Sequence, residues 1–425
     1  MKVLLIGSGG REHALGWKLA QSSRLTELWS LPGNPGLAEL GPTVEGIGAE
    51  NVGAVAAFVA AHGADLVVVG PEAPLAAGLV DALARTGVAA FGPTRAAARL
   101  ESSKAFAKEI MGRAGVPTAT WSAFTDPVAA SADLHQRQGP YVVKADGLAA
   151  GKGVLVTDSR QDAEQWARRC LAGEFGKAGT TVVIEDYLEG PELSVFALCA
   201  GTAAVPLAPA RDYKRLADGD RGPNTGGMGS YSPVELPAGL VDSVMAAVVQ
   251  PVLEQMSDQG NPYTGFLYVG LALTTEGPKV MEFNCRMGDP EAQVIMPRLA
   301  SDLLDLLASA AHGEVAGTEP EWSPDSAVNV VLAASGYPEA PRLDDEISGL
   351  GTFDPSQTVV FHAGTRRQGR RVHTAGGRVL SVVGRGPNLA DARRNAYEAV
   401  GHIKFRGRQY RTDIAAPVDR EGTKQ

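Results

Sequence analysis

The segment from Val280 to Arg286 combines residue types that could bind a metal ion and handle phosphate. Residues i and i+2 of a β-strand share one face, so Glu282 and Asn284 are expected to present two oxygen ligands side by side. Oxygen ligands suit Mg²⁺. Arg286 would share that face if the strand continues, and a cation there could stabilise charge on a phosphoryl group in transfer. A solvated edge strand is the alternative, weakened by an apolar opposite face of Met281, Phe283 and Cys285.

A loop between Val142 and Val154 could cover a polyphosphate. Lys144 would lie on the strand before it, and small residues would allow backbone N–H groups to approach an anion closely. Its glycines and its tip lysine are Gly147, Gly151, Lys152 and Gly153. The pattern is not a Walker A loop, because Asp146 stands in place of the first glycine and no Ser or Thr follows the lysine. An ordinary hairpin loop is the alternative interpretation.

The first glycine-rich loop, Gly7-Ser8-Gly9-Gly10-Arg11-Glu12, follows a strand-like run and precedes a helical one. That context favours a site for an anion or a polar ligand at a helix N-terminus. A nicotinamide dinucleotide is disfavoured, because its fingerprint needs glycine where Glu12 stands. A plain tight turn between strand and helix is the alternative that stays open.

Two further segments carry weaker signals. Asp212-Tyr213-Lys214-Arg215, followed by the glycine-rich stretch Gly222–Gly229, suits an anionic substrate, although a surface loop would also fit. The run from Val182 to Glu192 predicts a strand that ends in an acidic hinge. Such a hinge could offer backbone groups to adenine and a carboxylate to ribose hydroxyls, but acidic turns are usually only solvated. No Ser/His/Asp pattern accompanies the seven histidines, so a catalytic triad is not indicated.

Strand-like and helix-like segments, which must position these residues, alternate in the first part of the chain. Buried strands are expected at Val3–Ile6, Leu66–Val69 and Val88–Phe91. With a helix from Glu12 to Gln21, they predict an open parallel α/β sheet. Ligands collect where such strands end, here at Gly7–Glu12, Gly33–Gly36, Gly70–Glu72 and Gly92–Thr94. A helix is expected from Glu101 to Val116, an antiparallel sheet between Leu193 and Phe283, and a smaller α/β-rich or β-rich region after a polar linker at Glu314–Pro324.

Composition narrows the class of protein. The 425 residues include 39 basic and 48 acidic side chains, a net charge of −9, so a nucleic-acid-binding surface is not expected. Three scattered cysteines indicate neither a structural zinc site nor a disulfide framework. The sequence has no run of about 20 apolar residues to predict a membrane span, and the cytoplasm is the expected location.

Together these segments resemble the ATP-grasp superfamily and, within it, the phosphoribosylamine–glycine ligase family. The resemblance covers nearly the whole chain and is most specific at Gly222–Gly229 and Glu282–Pro290. It implies a multidomain α/β and α+β protein: a substrate-binding parallel α/β domain at 1–103, an ATP-grasp domain at 104–315 with a mobile lid at about 117–190, and a small C-terminal α/β-rich domain at 325–420. The implied reaction of purine biosynthesis joins glycine to 5-phosphoribosylamine through glycyl phosphate, with ADP and phosphate as products.

The resemblance also implies individual roles. ATP would be held by Lys104, Lys144, Gly147, Gly151, Lys152, Gly153, Glu185, Leu188 and Glu192. Glu282 and Asn284 would bind Mg²⁺ or Mn²⁺, and Arg286 would meet the γ-phosphate or the carboxylate of glycine. Asp212 and Asp289 are candidates to hold the ammonium group of glycine. The other substrate contacts would come from Gly9, Gly10, Arg11, Glu12, Asn34, Pro71, Glu72, Lys214, Asn224, Thr225, Gly226 and Gly227.

The sequence departs from this family at two places. Tyr213 stands where the family usually has His, which puts a role for that position in doubt. The strand Gly270–Leu273 lacks the third acidic metal ligand that many ATP-grasp enzymes carry, so ATP oxygens and water would complete the metal site. A monomer is expected. Another ATP-grasp ligase or carboxylase and a non-catalytic nucleotide-binding protein are the alternatives.

Overall fold

The computed structural model describes residues 1–149, 153–315, 319–351 and 353–417. Its strands are β1 (Lys2–Gly7), β2 (Glu27–Pro32), β3 (Leu66–Val69), β4 (Ala89–Phe91), β5 (Trp121–Phe124), β6 (Tyr141–Ala145), β7 (Val154–Thr157), β8 (Val182–Asp186), β9 (Glu192–Gly201), β10 (Ala203–Asp212), β11 (Arg215–Ala217), β12 (Arg221–Asn224), β13 (Gly229–Ser232), β14 (Tyr263–Thr274), β15 (Gly277–Asn284), β16 (Ser326–Ala333), β17 (Glu346–Ile347), β18 (Thr358–His362), β19 (Thr365–Gln368), β20 (Arg371–Thr374) and β21 (Arg378–Gly386). Its α-helices are α1 (Gly10–Leu19), α2 (Val52–His62), α3 (Glu72–Ala77), α4 (Leu79–Ala84), α5 (Arg99–Ser102), α6 (Lys104–Ala114), α7 (Pro127–Gln136), α8 (Arg160–Leu171), α9 (Leu240–Val244), α10 (Gln250–Asp258), α11 (Ala292–Ile295), α12 (Leu303–Ala311) and α13 (Leu389–His402). None of these helices is long and apolar enough to cross a membrane.

Four parallel strands form the N-terminal sheet, in the order β2-β1-β3-β4. Alternate residues of β1 are buried in different hydrophobic cores, Leu4 and Ile6 in one and Val3 and Leu5 in the other. Burial on both faces explains why β1 is a continuous apolar run. The expected parallel α/β sheet is confirmed. Strand β2 was not expected, because its short run Leu28–Leu31 includes a serine and lacks a clear period.

An eight-stranded sheet, in the order β15-β14-β9-β10-β13-β16-β21-β18, forms the centre of the molecule. The expected antiparallel pairing is present between β9, β10, β14 and β15. Strand β13 then pairs with both β10 and β16, so strands from the C-terminal part of the chain extend the same sheet. This continuity was not expected, because a sequence does not reveal which edge strands meet.

A separate four-stranded sheet, β5-β8-β6-β7, packs against α7 and α8 around its own small core. The C-terminal region adds the three-stranded sheet β17-β20-β19. Helix α13 packs against β16 and β21 of the eight-stranded sheet. The hairpin β11–β12 stands apart from these sheets and leads into the glycine-rich stretch at 226–229.

Three local details around the candidate site differ from the sequence-based expectations. The helix expected from Glu101 to Val116 is divided at Ser103, whose side chain accepts the Phe106 N–H (3.2 Å) and so caps a new helix, α6. Strand β15 ends at Asn284, so Arg286 does not continue its face. A β-bulge at Met281 shifts the register between Gly270 and Leu271, and Val280 rather than Met281 joins the apolar core with Phe283.

Candidate active site

Glu282 and Asn284 lie on the half-buried face of β15, as their spacing predicted. Burial raises the pKa of the Glu282 carboxyl, but Lys214, Lys144, Lys104 and Arg286 outweigh it and hold the pKa below its usual range. The carboxylate therefore stays charged. Its donor set, one carboxylate and one amide oxygen, fits a hard divalent cation, and the described residues contain no group of three His, Cys, Asp or Glu side chains that could hold a metal alone.

A carboxylate behind this face, Glu101 on α5, organises the end of the strand. Its Oε2 accepts the Cys285 N–H (2.7 Å), and its Oε1 lies 2.9 Å from Arg286 Nη2 in an ion pair. With the Asn284 amide in its hydrogen-bonded orientation, the amide nitrogen also donates to Oε1 (3.0 Å). The oxygen of Asn284 is then directed away from Glu101, as a metal ligand at this position requires. No signal in the sequence indicated Glu101, because it precedes Glu282 by about 180 positions.

Two of the expected phosphate-binding lysines lie beside Glu282. Lys104 donates to the Gly147 carbonyl (3.1 Å), and burial lowers its pKa even though Glu282 raises it. Lys144 donates to the carbonyl of Met281 (3.3 Å), which the bulge presents. Its other partner is Glu185, which also pairs with Lys108 on α6. Lys108 was not expected from the sequence, because its spacing follows the ordinary surface of a helix.

The expected adenine-binding carboxylate, Glu185, is 4% exposed. Burial raises its pKa, but Lys144 and Lys108 lower it below the usual range, so it stays charged. Glu185 thereby couples Lys144 to α6. The hinge residue Leu188 is half-buried beyond the end of β8, and Glu192 is exposed at the start of β9.

The glycine loop after β6 is anchored at its first turn. Asp146 accepts from the Ala105 N–H (2.9 Å) and the Ser103 hydroxyl (3.1 Å), which joins the loop to the N-terminus of α6. Gly147 has φ +145°, which favours glycine. At the far end, Gly153 accepts from the Ala145 N–H (2.8 Å). The predicted residues Gly151 and Lys152 lie outside the described residues.

Asp212 and Lys214 meet a carboxylate that was not predicted as a site residue, Glu291. Burial and the charge of Asp212 raise the pKa of Glu291 to about 7, and burial raises that of Asp212. Asp212 and Glu192 keep the pKa of Lys214 above its usual range despite burial, and Lys214 forms an ion pair with Glu192. Glu291 also accepts a hydrogen bond from Ser194 (3.1 Å). These groups form a polar cluster beside Glu282. In the sequence, only the acidic residues that follow Arg286 indicated this cluster.

A chain of alternating charges links the N-terminal loop to this site. Arg286 lies 3.3 Å from Glu72 Oε2, and Arg11 lies 3.9 Å from the same oxygen. Burial raises the pKa of Glu72, but Arg286 and Arg11 together lower it to about 2. Arg11, 6% exposed, also donates to the Met287 carbonyl (3.1 Å). Arg286 therefore reaches the site by a turn rather than along the strand.

Glu12 explains why the first loop lacks a third glycine. Its carboxylate accepts the Gly9 N–H (2.6 Å) and pairs with Arg11 (2.6 Å), so it is committed to the N-terminus of its own helix. A Cβ atom at Gly70 would lie only 2.4 Å from Glu12 Cγ, which shows how closely the Glu12 side chain packs against the end of β3. Gly10 is the first residue of α1, and Pro71 precedes the first turn of α3.

Asn34 lies at the same edge of the sheet, but its side chain bonds backbone. Its oxygen accepts from the Gly36 and Leu37 N–H groups (both 2.9 Å). Its nitrogen donates to the carbonyls of Ser8 and His362 (both 2.9 Å). Asn34 thus holds the first glycine loop against β18, and any ligand contact by its amide would have to replace one of these bonds.

Asp289 and the glycine-rich stretch meet at Arg378, a residue of β21. Arg378 contacts Asp289 (3.1 Å) and the carbonyl of Gly226. Burial raises the pKa of Asp289, but Arg378 and Arg11 lower it below its usual range. Thr225 accepts from the Gly227 N–H (3.0 Å) and donates to the Lys214 carbonyl (2.8 Å), whereas Asn224 is exposed at the end of β12.

Tyr213, the residue that departs from the usual family motif, contacts the C-terminal segment. Its ring lies 4.8 Å from the guanidinium of Arg411, and its hydroxyl accepts the Ala415 N–H (2.9 Å). Tyr213 therefore packs against the C-terminal segment. Its place in the motif reflects this packing, which the sequence pattern could not reveal.

Comparisons with known proteins agree along the whole chain. Family models described as Phosphoribosylglycinamide synthetase N domain, ATP-grasp (A) domain and C domain match residues 1–101, 102–292 and 327–417. The phosphoribosylamine–glycine ligase of Rhizobium meliloti (strain 1021) is 49% identical over 415 residues, which cover 97% of this chain and 98% of that protein.

Solved structures show the same architecture. The crystal structure of the phosphoribosylamine–glycine ligase from Thermotoga maritima is 36% identical, with a TM-score of 0.86 over 97% of this chain and 100% of that chain. The biotin carboxylase domain of Hydrogenobacter thermophilus 2-oxoglutarate carboxylase, in complex with MgADP, ADP and bicarbonate, is 16% identical, with a TM-score of 0.74 over 96% of this chain and 91% of that chain. The expected ATP-grasp fold is thus confirmed, and the chain belongs to the phosphoribosylglycinamide synthetase family.

Proposed function

We propose that this protein uses ATP to join glycine to 5-phosphoribosylamine, giving glycinamide ribonucleotide, ADP and phosphate. Full-length similarity to phosphoribosylamine–glycine ligases supports this reaction. The observation that carries it is the set of cations, Lys104, Lys144 and Lys214, whose charges converge on Glu282. Such a site suits the triphosphate of ATP and a divalent cation, and phosphoryl transfer depends mainly on positioning and electrostatic stabilisation.

In the proposed first step, a carboxylate oxygen of glycine attacks the γ-phosphorus of ATP, and ADP leaves. The ribosylamine nitrogen then attacks the carbonyl carbon of glycyl phosphate, phosphate leaves, and the nitrogen loses a proton. Lys104 and Lys144 would hold the ATP phosphates, and Arg286 would stabilise charge that develops on the transferred group. Asp212 would hold the ammonium group of glycine, with Asp289 as a second candidate.

The remaining assignments complete the proposal. Gly147 to Gly153 would cover the phosphates, and the hinge with Glu185, Leu188 and Glu192 would bind the nucleoside. The sugar phosphate would be bound by the first glycine-rich loop, with Gly9, Gly10, Arg11 and Glu12. Residues that follow strands of the N-terminal sheet, Asn34, Pro71 and Glu72, would add contacts. The remaining contacts would come from Lys214, Asn224, Thr225, Gly226 and Gly227. Glu282 and Asn284 would hold Mg²⁺ or Mn²⁺, which supplies charge neutralisation to the phosphates when bound.

We also propose the division into domains at 1–103, 104–315 and 325–420, with a lid at about 117–190, and a cytoplasmic monomer. The small separate core of β5–β8 is consistent with a lid that moves as a unit. Size-exclusion chromatography with light scattering would test the monomer, since a dimer would elute at twice the mass of the 44.2 kDa chain.

The reaction is tested by measuring ADP release while phosphoribosylamine is generated in the reaction mixture. Release that requires both glycine and phosphoribosylamine is expected. Release that requires another carboxylic acid, such as formate or bicarbonate, would instead indicate a different ATP-grasp ligase. No release from folded protein with Mg²⁺ present would contradict the proposed function.

As a first prediction, Glu282→Ala should lower kcat at least about 100-fold, because it removes one of only two protein ligands proposed for the metal. The measurement is glycine-dependent ADP formation over a range of Mg²⁺ concentrations, with the exposed Glu276→Ala as the matched control on the same pair of strands. A Glu282→Ala enzyme with nearly normal activity would remove Glu282 from the metal site.

A further inference from the structure

Arg378 joins two loops that the proposed function places around the sugar-phosphate substrate. Its Nη1 donates to the carbonyl of Asp289 (2.7 Å) and to that of Gly226, and its Nη2 lies 3.1 Å from the carboxylate of Asp289. One guanidinium therefore holds three oxygen atoms. A planar guanidinium has five donors in a fixed arrangement, which a lysine ammonium cannot reproduce.

The glycines of the second loop are packed directly on this arginine. A Cβ atom at Gly226 would lie 3.0 Å from Arg378 Cζ. Gly227 has φ +109°, and a Cβ atom there would lie 2.4 Å from Pro290 Cδ. At Gly227 both the φ angle and the contact with Pro290 require glycine, whereas a side chain at Gly226 would push against the end of Arg378.

Other residues of the C-terminal region support the same loop. The hydroxyl of Tyr337 accepts the Gly226 N–H (2.9 Å), and the Tyr337 ring covers Gly377, where a Cβ atom would lie 2.3 Å from the ring. The carbonyl and the N–H of Gly226 are thus both held by side chains from beyond the central region of the chain.

Asp289 in turn faces the first glycine loop. A Cβ atom at Gly9 would lie 3.5 Å from Asp289 Oδ2, and Gln293 donates to Asp289 Oδ1 (2.8 Å). The carboxylate therefore lies between Arg378 on one side and the loop of Gly9 and Arg11 on the other. A shift of Arg378 would move Asp289 and the Gly226 loop together.

We infer that Arg378 is a positioning residue: it sets the distance between the Gly226–Gly227 loop and Asp289, and so shapes the side of the site that takes the sugar-phosphate amine. This inference rests on the proposed function for the identity of the substrate. The described side-chain contacts of Arg378 are with Gly226 and Asp289, not with Lys104, Lys144 or Glu282. We therefore expect the affinity for ATP not to depend on Arg378.

The test compares Arg378→Met with Arg378→Lys and with Arg371→Met, a matched control on β20 whose arginine pairs only with the exposed Glu346 among the described contacts. For Arg378→Met we expect the KM for phosphoribosylamine to rise about tenfold and kcat to fall about tenfold, while the KM for ATP stays within about twofold. Arg378→Lys should show the same pattern, because one ammonium cannot hold three acceptors. Arg371→Met should behave as wild type.

Hydrogen exchange of the peptide from 222 to 229 provides a measurement that needs no turnover. Exchange should be faster in both Arg378 variants than in wild type or Arg371→Met, because the loop loses its contact with Asp289. Gly226→Ala, which pushes on an intact Arg378, should raise the KM for phosphoribosylamine in the same direction. This exchange result is independent of the proposed reaction, so a failure of the reaction and a failure of the inference can be told apart.

Three outcomes would overturn the inference. Unchanged exchange with weaker phosphoribosylamine binding would make Arg378 a direct ligand instead. Equal rises in the KM for all three substrates, with a lower melting temperature, would leave it only a structural role. A wild-type KM for phosphoribosylamine in folded Arg378→Lys would show that the planar guanidinium is not needed, which contradicts the positioning role. If Arg378→Met does not fold, Arg378→Lys and Gly226→Ala still decide between these outcomes.

Discussion

Single side chains behind the candidate metal ligands determine how those ligands are presented. Glu101 accepts hydrogen bonds from Asn284 and Cys285 and forms an ion pair with Arg286, so it contacts three consecutive residues. Burial raises the pKa of this carboxyl although Arg286 lowers it, so its charge depends on that arginine. Groups of this kind orient metal ligands without touching the metal.

We predict that Glu101→Gln weakens divalent-metal binding about tenfold, because the amide has only one acceptor oxygen and no charge to pair with Arg286. The measurement is Mn²⁺ affinity by electron paramagnetic resonance, with a non-hydrolysable ATP analogue present. Glu109→Gln, an exposed position on α6, is the control and should bind Mn²⁺ as wild type does. Equal Mn²⁺ affinity of Glu101→Gln and wild type would show that Asn284 does not need this support.

At the scale of elements, the hairpin β11–β12 depends on the C-terminal segment. Arg411 is 1% exposed and pairs with Asp220 and Asp413 (both 2.6 Å), and it donates to the Arg215 carbonyl (3.2 Å). The ring of Tyr213 lies against the same guanidinium. The hairpin leads directly into the loop of Gly226 and Gly227, so this cluster also fixes the approach to the site.

Arg411→Met should lower the free energy of unfolding by about 1–3 kcal/mol, because a buried cation with several acceptors is replaced by a side chain with none. It should also make the hairpin between Arg215 and Asn224 the first site of trypsin cleavage. Chemical denaturation and limited proteolysis would measure both effects, with the exposed Arg406→Met as control. Wild-type stability and cleavage would contradict the role of Arg411.

The N-terminal and C-terminal regions of the molecule meet at two buried histidines. His13 on α1 accepts the N–H of His362 on β18 at Nδ1 (2.8 Å), and their rings lie 5.7 Å apart. Burial lowers the pKa of His13 to about 3 and that of His362 to about 4. Both rings are therefore neutral at physiological pH, and protonation of either disfavours this contact.

The pH dependence of stability follows from these pKa values. The unfolded chain, with a histidine pKa near 6.5, takes up a proton before the folded chain does, so stability is complete above about pH 6.5 and falls as pH drops toward 3. At pH 5 the loss from His13 alone is about 2 kcal/mol. His13→Asn keeps an acceptor oxygen but cannot titrate, and should lose less stability between pH 7.5 and pH 5 than wild type. The measurement is denaturant unfolding at both values.

The exposed His402→Asn is the matched control for this comparison and should keep the wild-type dependence on pH. The same dependence in wild type and His13→Asn would show that the two histidines do not link the regions in the way proposed. A difference would locate the acid-sensitive junction between α1 and β18.

The sequence by itself determined the parallel N-terminal sheet, the antiparallel strands and the oxygen face of Glu282 and Asn284. Those features depend on the alternation of apolar and polar residues over short segments, which is visible in the sequence. The tertiary structure alone decided that Glu101 supports this face, that Lys108 pairs with Glu185 and that Arg378 reaches Asp289. These contacts join residues far apart in sequence, whose approach depends on how sheets and helices pack. The strand that carries Glu282 and Asn284 could therefore be predicted from its own residues, whereas the side chains that support the site could not.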